Sequence, residues 1–70
     1  MKYAIIIEKG GNNFSAYVPD LPGCVSTGKT VKETKTNIQE AIQFHIQGLL
    51  EDGELIPKPV SISDTVEVAA

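Results

Sequence analysis

The chain holds few residues able to do covalent or metal chemistry, and they are scattered. It has one cysteine, Cys24, and one histidine, His45. A thiol nucleophile needs a lowered pKa, as at a helix N-terminus or beside a cation. Cys24 opens an extended, alternating run, Cys24–Thr27, where a small buried hydrophobe is the simpler assignment. His45 is of the type that acts as a general base near neutral pH. No motif sets a serine, cysteine or carboxylate beside it, so it reads as a helix histidine at the margin of the core. Glu8 and Asp20 lie near plausible strand positions, and with His45 they are the set a divalent-metal hydrolase would have to use. Glu51, Asp52 and Glu54 surround a helix end and read as a solvated face rather than a metal site. Structural zinc wants four Cys/His ligands, more than this chain has. Gly28-Lys29-Thr30 has residue types found in phosphate loops, yet it is explained as a turn followed by a helix cap. No catalytic residue, metal or cofactor is assigned.

The elements that would position these side chains can be read from period and punctuation. Lys2 to Glu8 reads as a strand, with β-branched Ile5, Ile6 and Ile7, and with apolar residues on both parities as in a central strand. Lys9 to Asn13 is a turn, and Phe14 to Val18 returns antiparallel to the first strand. Pro19-Asp20-Leu21-Pro22-Gly23-Cys24 is a corner stiffened twice by proline, with Gly23 free to take positive φ. A loop held so rigidly is either a stiff connection between two strands or a surface presented to a partner. Cys24 to Thr27 is a short third strand. Thr30 and Glu33 form a capping box, and a helix from Val31 to about Asp52 ends at Gly53. Val31, Ile38, Ala41, Ile42, Ile46 and Leu49 make its apolar stripe. Phe44 points the other way, and with Gly48 one turn further on it offers a contact patch for another chain. Leu55 to Pro59 is a stiff linker, and Val60 to Ala69 offers a last strand. The fold class is α+β in the order β-β-β-α-β, an antiparallel sheet with one helix packed on it.

Composition narrows the function. With 70 residues the chain makes a single domain, 1–70, near the size limit of independent stability. One cysteine excludes an internal disulfide, so self-association is the remaining common device, and a homo-oligomer is expected. The net charge is −3 and all six cations are lysines. Nucleic-acid binding favours a clustered basic footprint and the arginine fork, so none is expected here. No segment reads as a signal peptide or membrane span, which fits a cytoplasmic protein.

The whole chain resembles the HicB-like antitoxin family. The match is carried by Val18-Pro19-Asp20-Leu21-Pro22-Gly23-Cys24, by Gly28-Lys29-Thr30 with Lys32-Glu33, and by Asn37 to Ile42 and Ile56 to Pro59. It departs at Thr34-Lys35, where the family usually continues with Ala-Leu. Lys35 would lie near the apolar stripe and lay its stem along the core edge. The resemblance implies a partial ribonuclease H-like fold. It also implies a partner, a small basic HicA-like toxin with a double-stranded-RNA-binding-like fold that cleaves mRNA, whose active site the antitoxin covers. Many members carry a second, C-terminal DNA-binding domain, and none is expected within these residues. The corner Asp20, Leu21, Pro22, Gly23 and Cys24 is the expected partner-binding surface. Two alternatives stand beside this: a metal-dependent nuclease or hydrolase built on Glu8, Asp20 and His45, and an orphan oligomer with a regulatory role.

Overall fold

Ile5, Ile6 and Ile7 favour extended backbone, and the strand they start, β1, spans Ile6–Lys9. A tight turn closes where the Gly10 N–H donates to the Asn13 carbonyl at 2.7 Å. The chain then returns as β2, Phe14–Tyr17, and after the proline corner as β3, Val25–Gly28. The computed structural model describes residues 1–70. Its sheet has the order β1-β2-β3, antiparallel throughout. The cross-strand row Ile7, Ala16 and Ser26 faces the helix, and the row Ile6, Tyr17 and Val25 faces away from it. β1, expected from its two-sided apolar pattern to be central, is an edge strand; β2 is central. Ile6 takes up the outer parity and stays half-buried there.

The helix α1 spans Val31–Glu51, and both ends follow from local chemistry. The Thr30 hydroxyl accepts from the Glu33 N–H at 3.0 Å. The Glu33 carboxylate reaches back to the Lys29 N–H at 3.3 Å, one residue before the cap. At the other end Gly53 takes φ +71°. The Gly53 N–H donates to Leu50 O at 3.1 Å and the Glu54 N–H to Leu49 O at 2.9 Å, the paired bonds of a Schellman stop. No helix is long and apolar enough to cross a membrane.

The core is small. Ala16, Val18, Leu21, Cys24 and Ile38 are buried, with Tyr3, Ile5, Ile7, Ala41 and Ile42 packed half-buried around them. Val31, expected in the stripe, is 47% exposed. Thr34 takes that place near the helix start, fully buried. Its hydroxyl donates to the Thr30 carbonyl at 2.7 Å, which satisfies the polar group inside the helix's own turn. A helix of 21 residues is about 31 Å long, whereas strands of four residues reach about 13 Å, so its C-terminal half overhangs the sheet. The Cα radius of gyration is 13.6 Å, against about 11 Å for a compact chain of this length.

The expected last strand does not form: residues 55–70 carry no ladder. They are held as a strap instead. The Tyr3 hydroxyl donates to the Pro57 carbonyl, Ser61 is bound by Asp20, and the Ser63 hydroxyl donates to the Ile5 carbonyl at 3.3 Å. The α+β architecture stands with a three-stranded sheet followed by one helix.

Gly28 is the tightest point of contact between sheet and helix. A Cβ there would lie 2.6 Å from Thr34 Oγ1 and 2.7 Å from the Thr34 backbone N. The backbone atom cannot yield without moving the helix. Gly28→Ala should therefore destabilise by about 1–3 kcal/mol, read as a lowered denaturation midpoint at fixed protein concentration. Gly11→Ala, whose Cβ would meet nothing within 4 Å, is the control and should change little.

Candidate functional site: the proline corner and the strap it holds

Two β-turns in succession make the corner. The Leu21 N–H donates to Val18 O at 3.1 Å, with Pro19 as the second residue of the turn. The Cys24 N–H donates to Leu21 O at 3.1 Å, with Pro22 second and Gly23 third. Gly23 has φ +83°, as a type II turn demands. The Val18 N–H donates to Cys24 O at 3.2 Å and closes the loop as a continuation of the β2–β3 pairing.

This geometry divides the expected contact residues into two groups. Leu21 and Cys24 are 0% and 4% exposed and belong to the core: Cys24 is the small buried hydrophobe that its type suggests, and as members of the expected contact surface both are corrected to packing residues. The turns aim them inward, beside Val18 and Ile38. Burial pushes the Cys24 thiol above its ordinary pKa, which keeps it protonated and unreactive near neutral pH. Pro22 and Gly23 are exposed, as is Pro19. Tyr17 and Val25, the last ladder pair before the corner, extend that exposed surface onto the outer sheet face.

Asp20 is half-buried and already occupied. Its Oδ2 accepts from the Val60 N–H at 3.0 Å and the Ser61 N–H at 2.9 Å, and its Oδ1 accepts from the Ser61 hydroxyl at 2.9 Å. The Ser61 N–H does most to hold the carboxyl below its ordinary pKa; burial opposes it, and the Ser61 hydroxyl and Val60 N–H add to it. Ser61 was not singled out in the sequence. The only hint is its place in an alternation of hydroxyl and apolar residues after two prolines.

The remaining candidates stay apart. No three His, Cys, Asp or Glu side chains gather as a metal site, so Glu8, Asp20 and His45 do not assemble. Glu8 pairs with Ser15, towards the opposite end of the sheet from the corner. Phe44 is exposed and Gly48 half-buried on the overhanging part of the helix. Counted from Gly23, Gly28-Lys29-Thr30 does meet the glycine-x4-glycine-lysine-threonine spacing of a phosphate loop. The segment that would have to cradle the phosphates is strand β3, and Gly28 is closed off by Thr34.

Comparison with known proteins places the chain. A family model described as "HicB_like antitoxin of bacterial toxin-antitoxin system" matches residues 3–69. A 14.9 kDa protein of Haemophilus phage HP1 is 52% identical over 58 residues, 83% of this chain and 44% of the phage protein. The chain thus spans less than half the length of that relative. A UPF0150 protein of Thermoplasma acidophilum is 46% identical over 59 residues, covering 83% of this chain and 86% of its own. A UPF0150 protein of Helicobacter pylori is 44% identical over 66 residues, 91% and 90% respectively. Among solved structures, a chain of the "HicA3 and HicB3 toxin-antitoxin complex" matches with TM-score 0.75 and 35% identity, over 86% of this chain and 70% of that one.

The Asp20 anchor sets how the strap responds to pH. A carboxyl with a depressed pKa in the folded state contributes its stabilisation above the unfolded pKa of about 3.9, and loses it as pH falls through the lower folded value. The Val60 and Ser61 amides should thus stay ordered, by ¹⁵N relaxation, from neutral pH down to about 4 and loosen only below it. Asp20→Asn should loosen them already at neutral pH while leaving β1–β3 and α1 intact. Amides that remain ordered in Asp20→Asn would show that the carboxylate does not hold the strap.

Proposed function

The chain belongs to the HicB-like antitoxin family, and we propose that it acts there by binding a small basic HicA-like toxin and covering its active site. The observation that carries this is the shared fold with a chain of a solved toxin–antitoxin complex. The mechanism is occlusion without catalysis. A chain of net charge −3 with no arginine attracts a basic protein over a long range, which speeds encounter and weakens with salt. Contact then falls on the exposed rim of the corner, Pro19, Pro22 and Gly23, together with Tyr17 and Val25 on the outer sheet face. This patch is rigid before binding, so little order has to be gained on association. Tyr17 is its aromatic anchor, of the residue types in which binding energy concentrates. Asp20 acts indirectly, by fixing the strap beside the patch, and Leu21 and Cys24 act by holding the corner's shape from within. The protein works in the cytoplasm, where such a toxin would meet its messenger RNA.

The test is calorimetric titration against a purified HicA-like toxin, taken from a neighbouring reading frame that encodes a short basic protein. Tyr17→Ala and Val25→Asp should each raise Kd at least tenfold, about 1.4 kcal/mol or more. Phe44→Ser should leave Kd unchanged, and raised salt should slow association. Absence of binding would overturn the antitoxin function. Metal-dependent RNA cleavage by this chain, abolished in Glu8→Ala, would replace it with the nuclease.

A further inference from the structure

The outer face of the sheet carries two rows of side chains. Ile6, Tyr17 and Val25 form the row nearer the corner, and Glu8, Ser15 and Thr27 form the next. Tyr17 is 41% exposed and Val25 65%, and Glu8, Ser15 and Thr27 are all exposed. The second row continues the patch assigned to the toxin, displaced by two residues along the strands, about 7 Å.

Glu8 is the one charge on this face. Lys9, next in sequence, alternates to the helix side. Across from Glu8 stands Ser15 on β2, and Thr27 lies beyond it on β3. Glutamate is disfavoured in strands, and a cross-strand charge stabilises a sheet when an opposite charge faces it. Glu8 has none on its row, so the sheet gains little from it. Tyr17 is its diagonal neighbour, at a spacing that long and aromatic side chains bridge. A carboxylate, an aromatic ring and two hydroxyls are thereby grouped on one strand-built surface.

That grouping fits a guanidinium. The planar group takes a carboxylate through two parallel N–H bonds, lays its face on a phenol ring, and keeps further N–H groups for hydroxyl oxygens. An ammonium is a compact point charge without that fork or that face. We propose that the outer face selects one arginine of the toxin, held by Glu8 and stacked on Tyr17. This rests on the antitoxin function proposed above and adds which side chain of the basic partner is read. Charge complementarity argues for the occupant: a lone carboxylate on a face without a cation meets a basic protein. The pair is desolvated in the complex and acts on residence time, whereas the net charge of −3 acts on encounter. The competing role for Glu8 is that of an edge-strand acid that discourages aggregation, and binding separates the two.

Calorimetric titration against the purified HicA-like toxin is the first arm of the test. Glu8→Gln keeps the shape, removes one charge, and should raise Kd about tenfold or more. Glu40→Gln removes the same charge from the exposed surface of the helix and should change Kd little. The double variant Glu8→Gln/Tyr17→Leu should lose less than the two single losses multiplied, because both groups hold one guanidinium. Toxin arginines replaced singly by lysine should include one position whose loss matches Glu8→Gln and is not deepened by it. An unchanged Kd in Glu8→Gln, with the unmodified chain binding, overturns the arginine site and leaves the antitoxin function standing. Absence of binding by the unmodified chain overturns that function and the assignment with it. The second arm needs no toxin. Nα-acetylarginine amide, titrated into the chain alone at millimolar concentration, should shift the amide resonances of Glu8, Ser15 and Tyr17. The lysine counterpart should not, and Glu8→Gln should abolish the shifts. Equal shifts from both amides, or none on this face, overturn the proposal even where the toxin binds.

Discussion

Between Val18 and Cys24 two consecutive β-turns send neighbouring side chains in opposite directions, Leu21 into the core and Asp20 out towards the strap. Proline at the second position of each turn removes backbone freedom from the unfolded chain, and Gly23 admits the positive φ of the second turn without steric cost. The rest of the molecule leans on this loop. Leu21 fills the space under Ile38, joining sheet to helix. Asp20 turns three donors of a distant segment toward the body and so decides which face of that segment looks outward. One short stretch thus sets the core, the exposed rim and the orientation of the strap.

A core of this size leaves the fold dependent on what surrounds it. Five buried apolar side chains are few for a domain that must offset the conformational entropy of 70 residues. The elongated shape has the same cause. The strands are too short to lie under the whole helix, and the helix sits towards β3, so the inner face beside β1 is open. Apolar area left open in this way is stabilising only once covered, which couples folding to association. The valines of the strap are exposed, and Ile5, Ile42 and Ile46, which line the groove beside β1, are only partly covered.

Local signals were legible in the sequence where local chemistry decides the outcome. Thr30, Glu33 and Gly53 mark the helix because caps are satisfied within a few residues, and the Gly10–Asn13 turn marks the hairpin for the same reason. The corner is legible as a turn, but the direction of each of its side chains is not. Proline and glycine announce a turn without saying which of its residues points inward, so the corner residues alone do not separate buried Leu21 from exposed Pro22. The polar type of Thr34 hides a core position whose hydroxyl bonds back to Thr30 and whose bulk is matched to Gly28. The last segment was misjudged because alternation shows that a strand has a face to bury, and cannot show in which molecule the burial happens. What the residues could not carry, the whole-chain family resemblance supplied.

The surface assigned to a toxin and the open groove lie on different sides of the sheet. Tyr17 and Val25 belong to the row that faces away from the helix, whereas the groove lies on the helix side, beneath the edge of β1. Occupancy of one therefore leaves the other sterically open. Asp20 connects the corner with the strap, because it belongs to the corner loop and also fixes the strap. The two β-turns leave this loop rigid without any partner, and its carboxylate grips Val60 and Ser61, so the shape of the corner and the orientation of the strap are fixed together by one side chain and its three hydrogen bonds.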